Sequence, residues 1–144
     1  MKSRSFSWMI GLLPCLFFLF FSCQKEKKET PGQIALECYQ NLISGNYDAY
    51  LKVMANYEQM PSSYREELKM LLTQYIRNEL VQRGGITKVT ISSDTVIGNR
   101  ANVFLQLEYK DGTSEEISVP MIYIDQVWRR IFLLQCLYKP QNEM

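Results

Sequence analysis

Apolar residues run almost unbroken from Trp8 to Phe21, disappear from Gln24 to Glu29, return at helical spacing as far as Gly84-Gly85, and alternate with polar residues from Ile86 onward. Thr30-Pro31-Gly32-Gln33 predicts a helix start, with Thr as N-cap, Pro at the first helical position and Gln closing a capping box. Ile34, Ala35, Cys38, Tyr39, Leu42 and Ile43 follow at helical spacing. Gly45 ends this helix and Asn46 caps a second, which carries Tyr47, Tyr50, Leu51 and Met54. A third helix is expected after Met60-Pro61, with Ser63-Tyr64-Arg65-Glu66 as its capping box. Tyr64, Leu68, Leu71, Leu72, Tyr75, Ile76 and Leu80 form its apolar stripe, and Gly84-Gly85 stops it.

The alternating half divides into four strands. Val89, Ile91 and Ile97 belong to the first and leave Asp94 on its polar face. Ala101, Val103, Leu105, Leu107 and Tyr109 mark the second, and Ile117, Val119, Met121 and Tyr123 the third. Gly98-Asn99 and Asp111-Gly112 suit tight turns, Asp125-Gln126 is a weaker turn signal, and a fourth strand is expected from Val127 to about Leu137. The expected fold class is α+β, with three N-terminal helices packed on a curved four-stranded antiparallel meander.

The first apolar run changes the meaning of the chain's start. Its 14 residues follow Lys2 and Arg4, contain Pro14 and end at Phe20-Phe21-Ser22-Cys23. A membrane-spanning helix needs about 20 apolar residues, so this run is too short to be one. It resembles bacterial lipoprotein leaders, in which the chain is cut before a cysteine that carries diacylglycerol and an acylated amine. The resemblance implies a leader over 1–22, a lipid-attached Cys23 with a polar tether over 23–30, and one domain over 31–144. Several acyl chains hold far more firmly than one, at about 0.8 kcal/mol per buried methylene. Gln24 stands where an aspartate would retain such a protein in the inner membrane, so the resemblance implies an outer-membrane address. Loss of Lys2 and Arg4 from the 16 basic residues leaves 14 against 15 acidic ones, a formal charge of −1. No basic excess points to nucleic acid.

The order of elements, with Ser44-Gly45-Asn46-Tyr47 between the first helices, resembles the nuclear transport factor 2-like superfamily over residues 31–138. Gly84-Gly85-Ile86, Ala101-x-Val103, Tyr109-Lys110-Asp111-Gly112 and Trp128-Arg129 are similar to its small secreted and lipoprotein branch. That resemblance implies a sheet wrapped around helices as a cone. Gln126 departs from the glycine common there, which bears on the third turn. Enzymes of the superfamily use a histidine with a carboxylate, or an aspartate facing a tyrosine and an acid inside the cone.

The chain contains no histidine, which removes Ser-His-Asp and Cys-His pairs and the commonest zinc ligand together. Asp48, Asp111 and Asp125 fall at a helix start or in turns. Glu37, Glu79, Glu108, Glu115 and Glu116 read as solvated charges, with Glu79 and Arg83 an i,i+4 pair. We expect no catalysis, no cofactor and no metal. Cys38 and Cys136 are either a disulfide across the core or two buried thiols, and neither has redox-motif spacing.

Two functions from different classes remain. Tyr39, Tyr50, Tyr75 and Trp128 would line the mouth of the cone and hold a small apolar or amphipathic ligand. Alternatively, Phe104, Ile122, Phe132 and Leu134 would form an apolar sheet face for assembly with a partner or a second copy, with Arg129 or Arg130 at its rim.

Overall fold

The computed structural model describes residues 28–131. The expected leader, Cys23 and residues 24–27 of the expected tether lie outside them, as do Phe132, Leu134, Cys136 and the last part of the expected fourth strand. Helix α1 spans Pro31–Ile43. Its capping box forms as expected: Thr30 Oγ1 accepts from the Gln33 amide and Gln33 Oε1 from the Thr30 amide, each at 3.3 Å. Gly45 takes a φ of 79°, and the Asn46 side chain accepts from the Ala49 amide at the start of the short helix α2, Tyr47–Lys52. A 3-10 turn at Tyr57–Gln59 leads to the long helix α3, Ser62–Arg83.

The expected capping box at Ser63 does not form. Pro61 is the N-cap and no side chain caps α3, because the helix begins two residues earlier than a Ser63 cap requires and Ser63 already lies within it. At the other end Gly84 is left-handed, and the amides of Gly84 and Gly85 donate to Leu80 O and Glu79 O at 3.1 Å. A Cβ on Gly84 would stand 2.9 Å from Lys110 Cβ, so only glycine lets the helix end meet the β2–β3 turn this closely.

The sheet is an antiparallel meander in the order β1 (Ile86–Ile97), β2 (Arg100–Tyr109), β3 (Ser114–Ile124) and β4 (Val127–Arg130). Asp125 and Gln126 both have positive φ and close a two-residue hairpin flanked by the pair Ile124 and Val127. The missing glycine therefore does not prevent the turn that joins β3 to β4. A register shift between Ile91 and Ser93 has a larger effect on the reading of β1. The extra residue turns Asp94 and Val96 toward the face shared by their partners Val103 and Ala101, and turns Ile97 away from it. Asp94 is thus not on the polar face; its carboxylate lies beside Gly32 at the start of α1.

Two apolar clusters make the core. One joins Ala35 of α1 to Val103, Leu105 and Leu107 of β2 and to Val119 and Met121 of β3. The other joins Cys38, Leu42, Tyr50, Leu51 and Met54 to Met60 and Leu68. Each large side chain fully buried here contributes about 1.5–3 kcal/mol. Helix α1 crosses the sheet and touches β1, β2 and β4, while α3 contacts chiefly α2 and β1. Of the seven residues in the α3 stripe only Leu68 is buried; Leu71 and Leu80 are 53% and 60% exposed. Among the described residues no helix is long and apolar enough to cross a membrane.

Candidate functional site

Because α3 stands away from β3, a cavity of about 730 Å³ opens between them, floored by α1 and α2. It runs past Ile117–Pro120, the part of β3 that β4 does not cover, so residues from both faces of that strand line it. Tyr39, Tyr50 and Tyr75 are in its wall. Trp128 is not. Its pairing with Tyr123 carries it to the turn end of the sheet, where the two rings lie 5.2 Å apart.

Tyr50 lies at the centre of the inner wall. Its ring meets Tyr39 edge-on at 5.9 Å, and its carbonyl accepts from Cys38 Sγ at 3.6 Å. Arg130 lies against its other side, with the guanidinium carbon 4.1 Å from the ring centre and Nη1 donating to the Tyr50 hydroxyl. Cation–π geometry of this kind holds a guanidinium without neutralising it. Burial pushes the Cys38 thiol up to about 11 and the Tyr39 and Tyr50 hydroxyls above their usual range, with the charge of Arg130 partly opposing the rise. At neutral pH these three groups are therefore uncharged.

Arg130, one of the two arginines considered for the rim of the sheet face, is only 7% exposed. Its main chain explains this burial. The Arg130 amide donates to Val53 O at 2.9 Å and its carbonyl accepts from the Ala55 amide at 3.0 Å, so β4 is pinned to the segment after α2. Cross-strand pairing with Met121 turns the side chain toward the helices. Arg129 faces outward and donates to Lys52 O at 3.1 Å.

A second polar group borders the far end of the cavity behind Tyr75. Tyr109 donates to Glu115, Arg83 Nη1 lies 3.2 Å from Glu115 Oε2, and Arg83 Nε lies 3.7 Å from Glu79 Oε2. Arg83 also sits 4.4 Å above the Tyr109 ring. Burial together with Glu79 and Glu115 pushes Tyr75 up to about 12, and burial with the Glu115 hydrogen bond raises Tyr109. Glu79 is thus largely buried, and both carboxylates lie against Arg83, although Glu115 stays partly exposed. The i,i+4 pair of Glu79 with Arg83 is present, but it extends through Arg83 to β3.

Of the expected partner face, Phe104 and Ile122 lie within the described residues and Phe132 and Leu134 outside them. Phe104 stands between Ser93 and Ser118, while Ile122 stands between Arg100 and Arg129. Alternation along each strand is the same, but the register brings polar residues between the two. Exposed Ile97, Ile124 and Val127 lie toward the turn end of the sheet, with Arg100 between Ile97 and Ile122. Among the described residues no group of three or more His, Cys, Asp or Glu is placed to hold a metal.

No protein-family model matches the chain, and no curated protein matches it in sequence. A crystal structure from Campylobacter jejuni, described as a candidate NTF2-like transpeptidase, superposes with a TM-score of 0.59 at 15% identity. The match covers 73% of this chain and 100% of that one. The described region therefore has an NTF2-like α+β fold, with helices on a four-stranded antiparallel sheet. At this identity the likeness extends to the fold alone.

Proposed function

We propose that the chain is a lipoprotein anchored in the outer membrane through Cys23, whose NTF2-like cone binds a small apolar or amphipathic molecule without transforming it. The observation that carries the binding reading is the cavity itself. Its size falls within the roughly 300–1,000 Å³ usual for small-molecule sites, and its wall is apolar and tyrosine-rich with a single charged side chain, Arg130. The anchor rests on the leader pattern of residues 2–23.

The composition of the wall supports a non-catalytic role. It holds no carboxylate to act as base, and the chain has no histidine. The thiol of Cys38 is buried outside the wall and held protonated, which suits a packed core residue rather than a transpeptidase nucleophile. Exposed Ile97, Ile124 and Val127 favour a second reading, assembly through one corner of the sheet.

Native mass spectrometry of residues 23–144 with Cys23→Ser, purified from an expressing cell, tests both. A retained small mass lost on denaturation is the expected result. A clean dimer without it would move the function to the sheet corner, and a bare monomer would overturn both readings.

A further inference from the structure

Arg130 carries a charge that the described protein does not balance. Lys69, Arg83 and Lys88 each lie within 4 Å of a carboxylate, but Arg130 has no such partner among the described residues. Its Nε is buried without an acceptor, and its side chain makes one hydrogen bond among them, to the Tyr50 hydroxyl. A guanidinium has five N–H donors and stays protonated at any accessible pH. Buried charges are ordinarily paired, because leaving water without a counter-charge is costly.

The same side chain lines the cavity, and the rest of the wall tells what could complete it. A planar anion with two oxygens matches the guanidinium fork. The Tyr50 hydroxyl, already accepting from Nη1, keeps its own proton to donate to that anion. A single positive charge balances a monoanion; a phosphate dianion would leave one negative charge buried. From Arg130 the wall continues through Leu68, Leu72, Tyr75 and Ile117, which offers an apolar path toward α3.

We propose that the cavity binds amphipathic monocarboxylates, with the carboxylate held by Arg130 and the Tyr50 hydroxyl and the apolar chain laid between α3 and β3. This rests on the binding reading above and narrows it to a head-group chemistry. Arg130 is then a specificity residue whose isolation is the feature that selects the ligand.

The test compares decanoate, 1-decanol and decyltrimethylammonium, all below micelle-forming concentration, by calorimetric titration into residues 23–144 with Cys23→Ser. Decanoate should bind about tenfold or more tightly than decanol, the scale of a charge-assisted hydrogen bond, and the cation should not bind. Arg130→Met should reduce decanoate to the affinity of decanol while leaving decanol unchanged, and Arg130→Lys should fall between. Removing an unpaired buried charge should hold or raise the melting temperature of Arg130→Met, which separates loss of binding from loss of fold. If that variant does not fold, the three probes on the unsubstituted arginine still decide. Equal binding of decanoate and decanol would overturn the head-group inference and leave the pocket standing. Tighter binding of the cation would overturn it as well, and no binding of any probe would overturn both.

Discussion

Helices α1 and α3 both present apolar residues to the same sheet, but only α1 closes on it. The α1 seam with the sheet contains Gly32 and Ala35, and both are buried. A Cβ on Gly32 would lie 3.3 Å from Ile91 Cδ1, so the helix approaches β1 more closely than a residue with a Cβ would comfortably permit. On α3 the corresponding positions are Leu68, Leu71, Leu72 and Tyr75. Their bulk holds that helix away from β3 and leaves the cavity between them. Small residues let backbones approach and give density; large ones keep backbones apart and leave space that the side chains do not fill. Here the packed seam supplies stability and the held-off helix leaves the cavity.

The strongest way to break this contrast is to shorten one leucine in each region. Leu105 is fully buried at the centre of β2, so Leu105→Ala should cost about 2–5 kcal/mol through lost burial and an unfilled hole. Leu71 lines the cavity while remaining 53% exposed, so Leu71→Ala should stay within about 0.5 kcal/mol. Urea unfolding of both variants measures the difference. Comparable losses would mean that α3 is packed as tightly as α1 and that the cavity is closed.

A smaller contrast lies at the helix starts, and it also marks where local sequence stops determining structure. Thr30 and Ser63 both begin a capping-box pattern, yet only Thr30 caps. Pro61 starts α3 early, and Arg65 N already donates to Pro61 O at 3.1 Å, which leaves the Ser63 hydroxyl inside the first turn. Thr30→Ala should therefore cost about 1 kcal/mol, and Ser63→Ala close to nothing. Equal costs in thermal unfolding would show that α3 is fixed at its start as firmly as α1.

Helices, turns and strand order were legible because their signals are local: caps, glycines, and the change of period at Ile86. The β1 bulge was not, since alternation has no mark for an extra residue, and it reversed the facing of Asp94 and Ile97. Tyr39, Tyr50 and Tyr75 were legible as wall residues, while Trp128 was displaced by its pairing with Tyr123. Arg130 could have been found. A two-residue turn at Asp125-Gln126 sets it opposite Met121, a residue that alternation already turns inward. What the sequence could not supply is the pairing of Arg130 with the Val53–Ala55 segment, which buries it.

The weakest contact tested is the one that ties α3 to α2 without apolar packing. Lys69 Nζ lies 2.7 Å from Asp48 Oδ1 and 3.0 Å from Glu66 Oε1, at the surface. The hydrogen bond from Lys69 holds the Asp48 carboxyl below its usual range, and the same contact raises Lys69. A carboxyl lowered by folding stabilises the fold above its unfolded value, near pH 4, and that contribution fades as pH falls through the lower folded value. A raised lysine stabilises the fold below its unfolded value and loses the contribution as pH rises through the folded one. Asp48→Asn should thus lower the melting temperature slightly at pH 7, with the difference shrinking toward pH 3 and in high salt. A difference that persists at pH 3 would mean that Asp48 acts through helix capping or packing, and that α3 is not held to α2 by charge.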